Sequence, residues 1–235
     1  MDAGNAARES DFFPGDLLMT TYTLSRVPLA PAVKEKPEAL FRSVHAALVY
    51  ALNYSMQQYD RPLMNKAMSG KPEGEGKGLS GVDGAGQAGM IRAELARLAP
   101  LHQAVLVASI APQRVPCECR AACCGGWRVN PEWSDAVGEL TTVSAAAALP
   151  GCLSNGRLRS ALIQRLLGAK VTLAELAERY DVDEKTAGAH SAKLKRWLFG
   201  DPAMQMGLHP EAIREIAARF KTCGWIAPEP GAHPV

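Results

Sequence analysis

Four of the chain's six cysteines fall within eight positions: Cys117, Cys119, Cys123 and Cys124, in VPCECRAACCGGW at 115–127. Thiolates are soft ligands, and zinc prefers four thiolate or imidazole ligands at tetrahedral geometry. The four side chains therefore supply a full coordination set. Arg114 and Arg120 lie beside them and offset the negative charge that four thiolates leave on a divalent ion. The spacing is CxCx3CC, so one short segment has to wrap tightly around the metal. Ala121, Ala122, Gly125 and Gly126 are small enough to allow that. A variant has three of these cysteines bind, with Cys152 or a histidine completing the shell. Two other readings stand beside the metal: unpaired thiols, and a reactive or redox pair. A disulfide within the cluster is disfavoured, because adjacent Cys123 and Cys124 bond each other only with difficulty and a Cys117–Cys119 bridge is strained. Catalytic zinc needs an open position with a nearby acid or base. Glu118 lies inside the motif, but the deaminase pattern HxE…PCxxC is absent. The expected role of Zn2+ is structural.

The second constellation is cationic. In VTLAELAERYDVDEKTAGAHSAKLKRWL (171–198), Thr172 and Glu175 are spaced as a capping box that starts a helix. Leu173, Leu176 and Ala177 form its inward face. Tyr180-Asp181-Val182 is a short turn with one apolar plug, and Asp181 stands where a left-handed residue is needed. Asp183 caps a second helix with Ala187, Leu194 and Leu198 inward. That is a helix-turn-helix over 172–198. Its second helix is expected to offer Lys185, Thr186, Ala189, His190, Lys193, Lys195 and Arg196 to a DNA groove and its phosphates. Small Gly188 and Ala189 allow close approach. For His190, a partly buried neutral ring is the competing reading. Residues 155–200 hold nine Lys/Arg against five Asp/Glu, whereas the whole chain has a formal charge of only +2. The positive excess is thus concentrated where the motif lies, which fits a local nucleic-acid surface and not a polycation.

Positioning these groups takes a helical frame. The 235-residue chain is 47% hydrophobic, with much of that alanine, and no window alternates with period two. Helices are expected over 38–59, 88–98, 101–110, 131–148, 156–168, 172–180, 183–198 and 210–222. Asn130-Pro131 and the capping residues mark starts, and Pro62, Pro100 and Pro150-Gly151 mark breaks. The fold class is all-α, in four segments. An irregular arm covers 1–37. A helical N-terminal region covers 38–110 and includes a glycine-rich loop at 69–89. The cysteine-rich zinc loop covers 111–130, and the helical DNA-binding region 131–235. The loop has no GxxxxGK[ST] pattern, so it is not a P-loop. Residues 56–68 offer Met, Tyr and Arg as a possible partner face, with a plain helix end as the alternative. Trp127 and Trp133 are expected to pack beside the metal, or else to stack on nucleic acid. His45 and His102 read as satisfied interior histidines. No signal peptide or membrane-spanning run is evident, which points to the cytoplasm, and there clustered cysteines favour metal.

The segment LAELAERYDVDEKTAGAHSAKLKRWL resembles the helix-turn-helix of the promoter-reading C-terminal domain of sigma factors, and that of Q-type phage late-gene antitermination proteins. Paired with VPCECRAACCGGW…NPEW, over residues 78–200, it is similar to small DNA-binding proteins of bacterial prophages. Zinc-bearing antiterminators carry two separated CxxC pairs where this chain has CxCx3CC. The resemblance implies a sequence-specific transcription regulator of duplex DNA, in its sharper form a late-gene antiterminator that loads onto bacterial RNA polymerase. The alternative is an interaction module that binds polymerase or another partner without reading DNA. No Ser/His/Asp set, HExxH or GxSxG appears, so an enzyme is not expected. The oligomeric state is open.

Overall fold

A computed structural model describes residues 39–59, 81–117, 119, 125–201 and 205–227. The expected irregular arm, the partner face beyond residue 59, the first half of the glycine-rich loop, and Cys123 and Cys124 lie outside them. Helices dominate the described residues. They are α1 Val44–Tyr59, α2 Gly81–Ala96, α3 Pro100–Ile110, α4 Pro131–Ala147, α5 Gly156–Leu166, α6 Leu173–Arg179, α7 Glu184–Phe199 and α8 Leu208–Thr222.

The centre is α3. Ala104, Val105, Leu106, Val107 and Ala108 are buried in succession. A helix that is apolar all round has to be surrounded, and α1, α4 and α8 pack against it. One hydrophobic cluster runs from Phe41 to Ile226 and takes side chains from both helical regions. The regions 38–110 and 131–235 therefore share a single core. The described ends meet as well: the Phe41 amide donates to the Trp225 carbonyl at 2.8 Å. Arg92 clamps three helices. Its Nη1 donates to both Glu132 carboxylate oxygens, at 2.8 and 3.1 Å, while its Nε donates to the Ala51 carbonyl at 3.1 Å.

Two features depart from the sequence reading. Helix α2 begins at Gly81, inside the stretch expected to be loop, despite the cost of about 1 kcal/mol per interior glycine. Packing overrides propensity here: a Cβ at Gly84 would meet the Tyr54 and Tyr50 hydroxyls, and Tyr50 Oη donates to the Gly84 carbonyl. There are also two small antiparallel pairs where no strand was expected: β1 Arg114–Pro116 with β2 Trp127–Val129, and β3 Gly200–Asp201 with β4 Gln205–Met206. At two or three residues a strand is too short to show an alternating pattern. The second pair folds so closely that a Cβ on Gly207 would collide with the backbone of Phe199 and Gly200.

Helices α5, α6 and α7 pack on one another and reach the rest of the chain through α4 and α8. Among the described residues, no helix is long and apolar enough to cross a membrane.

Candidate nucleic-acid interface

The α6–α7 pair starts as its sequence requires. The Glu175 amide donates to Thr172 Oγ1 at 3.2 Å and the Thr172 amide donates to Glu175 Oε2 at 2.9 Å, forming the reciprocal cap. The Thr172 amide and, after it, the Thr172 side chain favour the ionised carboxylate and, with Arg179 adding a smaller attraction, hold the Glu175 carboxyl below its ordinary range. The turn closes when the Val182 amide donates to the Ala177 carbonyl at 3.0 Å. Asp181 has φ +51°, the left-handed conformation that the turn needed. Val182 packs against the core, and Asp183 accepts from the Thr186 amide at 3.1 Å to cap α7.

The burial pattern of α7 divides it lengthwise. Ala187, Leu194 and Leu198 are fully enclosed, together with Leu176 on α6, while Leu173 is only partly covered. Lys185, Thr186, Ala189, Lys193, Lys195 and Arg196 are exposed. None of these four cations forms an ion pair with a described carboxylate. His190 departs from the expected set. It is 7% exposed, and its Nδ1 has no hydrogen-bond partner among the described residues. It lies three residues beyond Ala187 and four before Leu194, so helical phase puts it on the inward stripe. Burial, with Lys193 and Arg159 near, holds its imidazole below the ordinary histidine range. Its side chain is therefore not part of the exposed surface.

Lys193 Nζ lies 3.2 Å from Cys152 Sγ. Cys152 thus reaches the α7 face, whereas Cys117 directly follows β1. The Cys117 amide donates to the Gly126 carbonyl at 2.8 Å, next in register after Pro116 and Trp127. Cys117 is partly exposed and Cys119 exposed. Among the described residues, no three His, Cys, Asp or Glu side chains converge. The zinc expectation therefore rests on two described thiols and on Cys123 and Cys124 beyond them.

The two tryptophans part company. Trp133 is buried and donates its indole N–H to the Ala108 carbonyl at 3.2 Å, so it belongs to the core. Trp127 stands 52% exposed on β2. His102 is held by Glu215 at 2.8 Å, while His45 is exposed. The ribbon's exposed cations, Arg114 and Arg128, are not legible as a surface from sequence, because without the strands nothing places Arg114 on one face with Trp127 and Arg128 on the other.

The described residues are mostly helical, and α7 carries an exposed face whose four cations pair with no described carboxylate. No family model matches the chain, and no curated protein or solved structure matches it.

Proposed function

We propose that α6 and α7 form a DNA-reading helix-turn-helix and that the protein is a sequence-specific transcription regulator. The observation that carries this reading is the lengthwise division of α7. Ala187, Leu194 and Leu198 anchor one side, and the other side leaves Lys185, Thr186, Ala189, Lys193, Lys195 and Arg196 in solvent with no described acid neutralising them. A cationic helix braced by its partner fits a major groove: side chains near its N-terminus reach base edges and those further along meet phosphates. Ala189 offers a methyl to thymine, and Thr186 a hydroxyl to either kind of edge. The narrower role, late-gene antitermination with loading onto bacterial RNA polymerase, is supported by the sequence resemblance of the same segment. The second component of the proposal is a structural zinc ion at the ribbon tip. The closed Cys117–Gly126 pair supports it by bringing together the two ends of the segment that carries all four thiols.

One observation favours the interaction-module reading. Asp183 and Glu184 stand exposed at the start of α7, the end that a DNA-reading helix inserts between the anionic walls of the groove. A basic partner protein would welcome those carboxylates. Selection of bound duplexes from a random pool separates the two readings. Convergence on a motif, lost when Lys185 becomes Glu, supports DNA reading. A pool that stays random through repeated rounds refutes it.

A further inference from the structure

The β1–β2 ribbon presents a second surface. Its register pairs Arg114 with Val129, Val115 with Arg128, and Pro116 with Trp127. Side chains alternate along a strand, so Arg114, Pro116, Trp127 and Val129 share one face, with Val115 and Arg128 on the other. Trp127 is 52% and Val129 58% exposed. Arg114 and Arg128 are exposed too, and neither forms an ion pair with a described carboxylate. The ribbon is also held firmly at its base. The Asn130 amide donates to the Gln113 carbonyl at 2.9 Å, and Asn130 Nδ2 donates to the Pro112 carbonyl at 2.8 Å. The same Asn130 oxygen accepts from the Glu132 amide to start α4. A rigid support that leaves a large aromatic ring in water marks a surface built for contact.

We propose that this face binds a single-stranded nucleic acid, with an unpaired base stacked on the Trp127 indole and a neighbouring phosphate met by Arg114. Charge complementarity selects the occupant. The Arg114 guanidinium shares the face with the ring and Arg128 adds a second exposed cation on the ribbon's other side, which suits a polyanion better than an apolar protein surface. A single strand is preferred to a duplex because its base faces are free, and base–aromatic stacking tolerates any sequence. The site lies apart from α7 and uses none of the α7 cations.

The test is fluorescence anisotropy of labelled (dT)12, which forms no duplex with itself, against the full chain under reducing conditions, with a random duplex measured in parallel. Trp127→Ala should weaken (dT)12 binding by about 5- to 150-fold, and Trp127→Phe should retain it. Arg114→Ala should lower the salt slope by about 0.7, one phosphate's share on a single strand. Duplex binding should change less than twofold in all three variants. Unchanged helicity in the Trp127 variants shows that the fold is intact, as expected for an exposed ring. No (dT)12 binding at low salt overturns the proposal. So does binding indifferent to Trp127→Ala, or binding abolished by Lys185→Glu, which would put the strand on α7. Capture of an apolar peptide by the ring with no effect of (dT)12 would assign the face to a protein instead. Duplex binding that fails while (dT)12 binding persists sinks the α7 reading and leaves the ribbon standing.

Discussion

Lys185→Ala gives a quantitative test of the α7 surface. Four exposed cations, Lys185, Lys193, Lys195 and Arg196, lie along α7 and are free of described ion pairs. If each neutralises one phosphate, the logarithm of affinity should fall against the logarithm of salt with slope about −3.6, at about −0.9 per contact. Raising salt fourfold, from 50 to 200 mM, should then weaken duplex binding by roughly 150-fold. Removing Lys185 leaves three contacts, a slope of about −2.7, and a loss of only about 40-fold over the same range. Lys193→Ala should give the same decrement even though Nζ sits 3.2 Å from Cys152 Sγ: a thiol is a weak acceptor beside a phosphate oxygen, so Lys193 gives up that contact when DNA arrives. Cys152→Ala should therefore leave the slope unchanged. Glu184→Gln removes an exposed carboxylate from the approach and should tighten binding without adding a contact. The assay is anisotropy of a labelled random duplex at several salt concentrations. A wild-type slope shallower than −1, or a Lys185→Ala slope equal to the wild type's, would refute phosphate binding by α7.

Three further outcomes can be checked directly. Thr172→Ala breaks the capping box and should cost about 1 kcal/mol in urea unfolding. The remaining Glu175 half of that cap is strongest above the ordinary glutamate range and fades as pH falls through its lowered folded value. His190 is held neutral by burial, so below pH 6.5 the unfolded chain binds protons that the folded chain resists. Its contribution is complete above that pH and is lost as pH drops towards its folded value. His190→Gln should flatten the fall in urea midpoint between about pH 7 and pH 5, and an unchanged profile would show that His190 does not titrate as placed. Protein purified under reducing conditions should carry one zinc per chain by mass spectrometry, lost on Cys117→Ser; finding no stoichiometric metal ends the zinc proposal.

The helices that the sequence made legible are those with chemical punctuation. Asn130-Pro131, Thr172 with Glu175, and Asp183 each fixed a helix start that stands within a residue of its expected place. The left-handed turn residue was readable because Asp is one of the few side chains that tolerate that conformation. Of the two readings open for His190, phase favours the buried neutral ring over the phosphate contact. Its type suggests phosphate contact, but its place between Ala187 and Leu194 fixes it inward. Polarity and periodicity disagreed there, and periodicity prevailed because α7 is anchored on the core by three fully enclosed side chains. Helix α2 was hidden because its stability is not local. Its Gly84 makes room for Tyr50 and Tyr54, residues some thirty positions earlier, and no propensity scale contains that contact. The ribbon was hidden for a similar reason: strands of three residues depend on their pairing and on Asn130 at their base, and each end of such a pair alone reads as loop.

Asn130 also links the two proposed surfaces, because it ties the ribbon to α4, α4 packs on α5, and α5 packs on α7. The ribbon is fixed at the N-terminal end of α4, whereas Arg159 of α5 donates to the Thr141 carbonyl ten residues along. A nucleic acid seated on α7 and on Trp127 together should therefore change from duplex to single strand at a fixed offset from the α7 site. Forked duplexes with the junction moved one base pair at a time give the measurement. Affinity should peak at one junction position, and Trp127→Ala should erase the peak while leaving the affinity for unforked duplex. Affinity independent of junction position would mean that the two surfaces act separately, and a peak that survives Trp127→Ala would remove the ribbon from the interface.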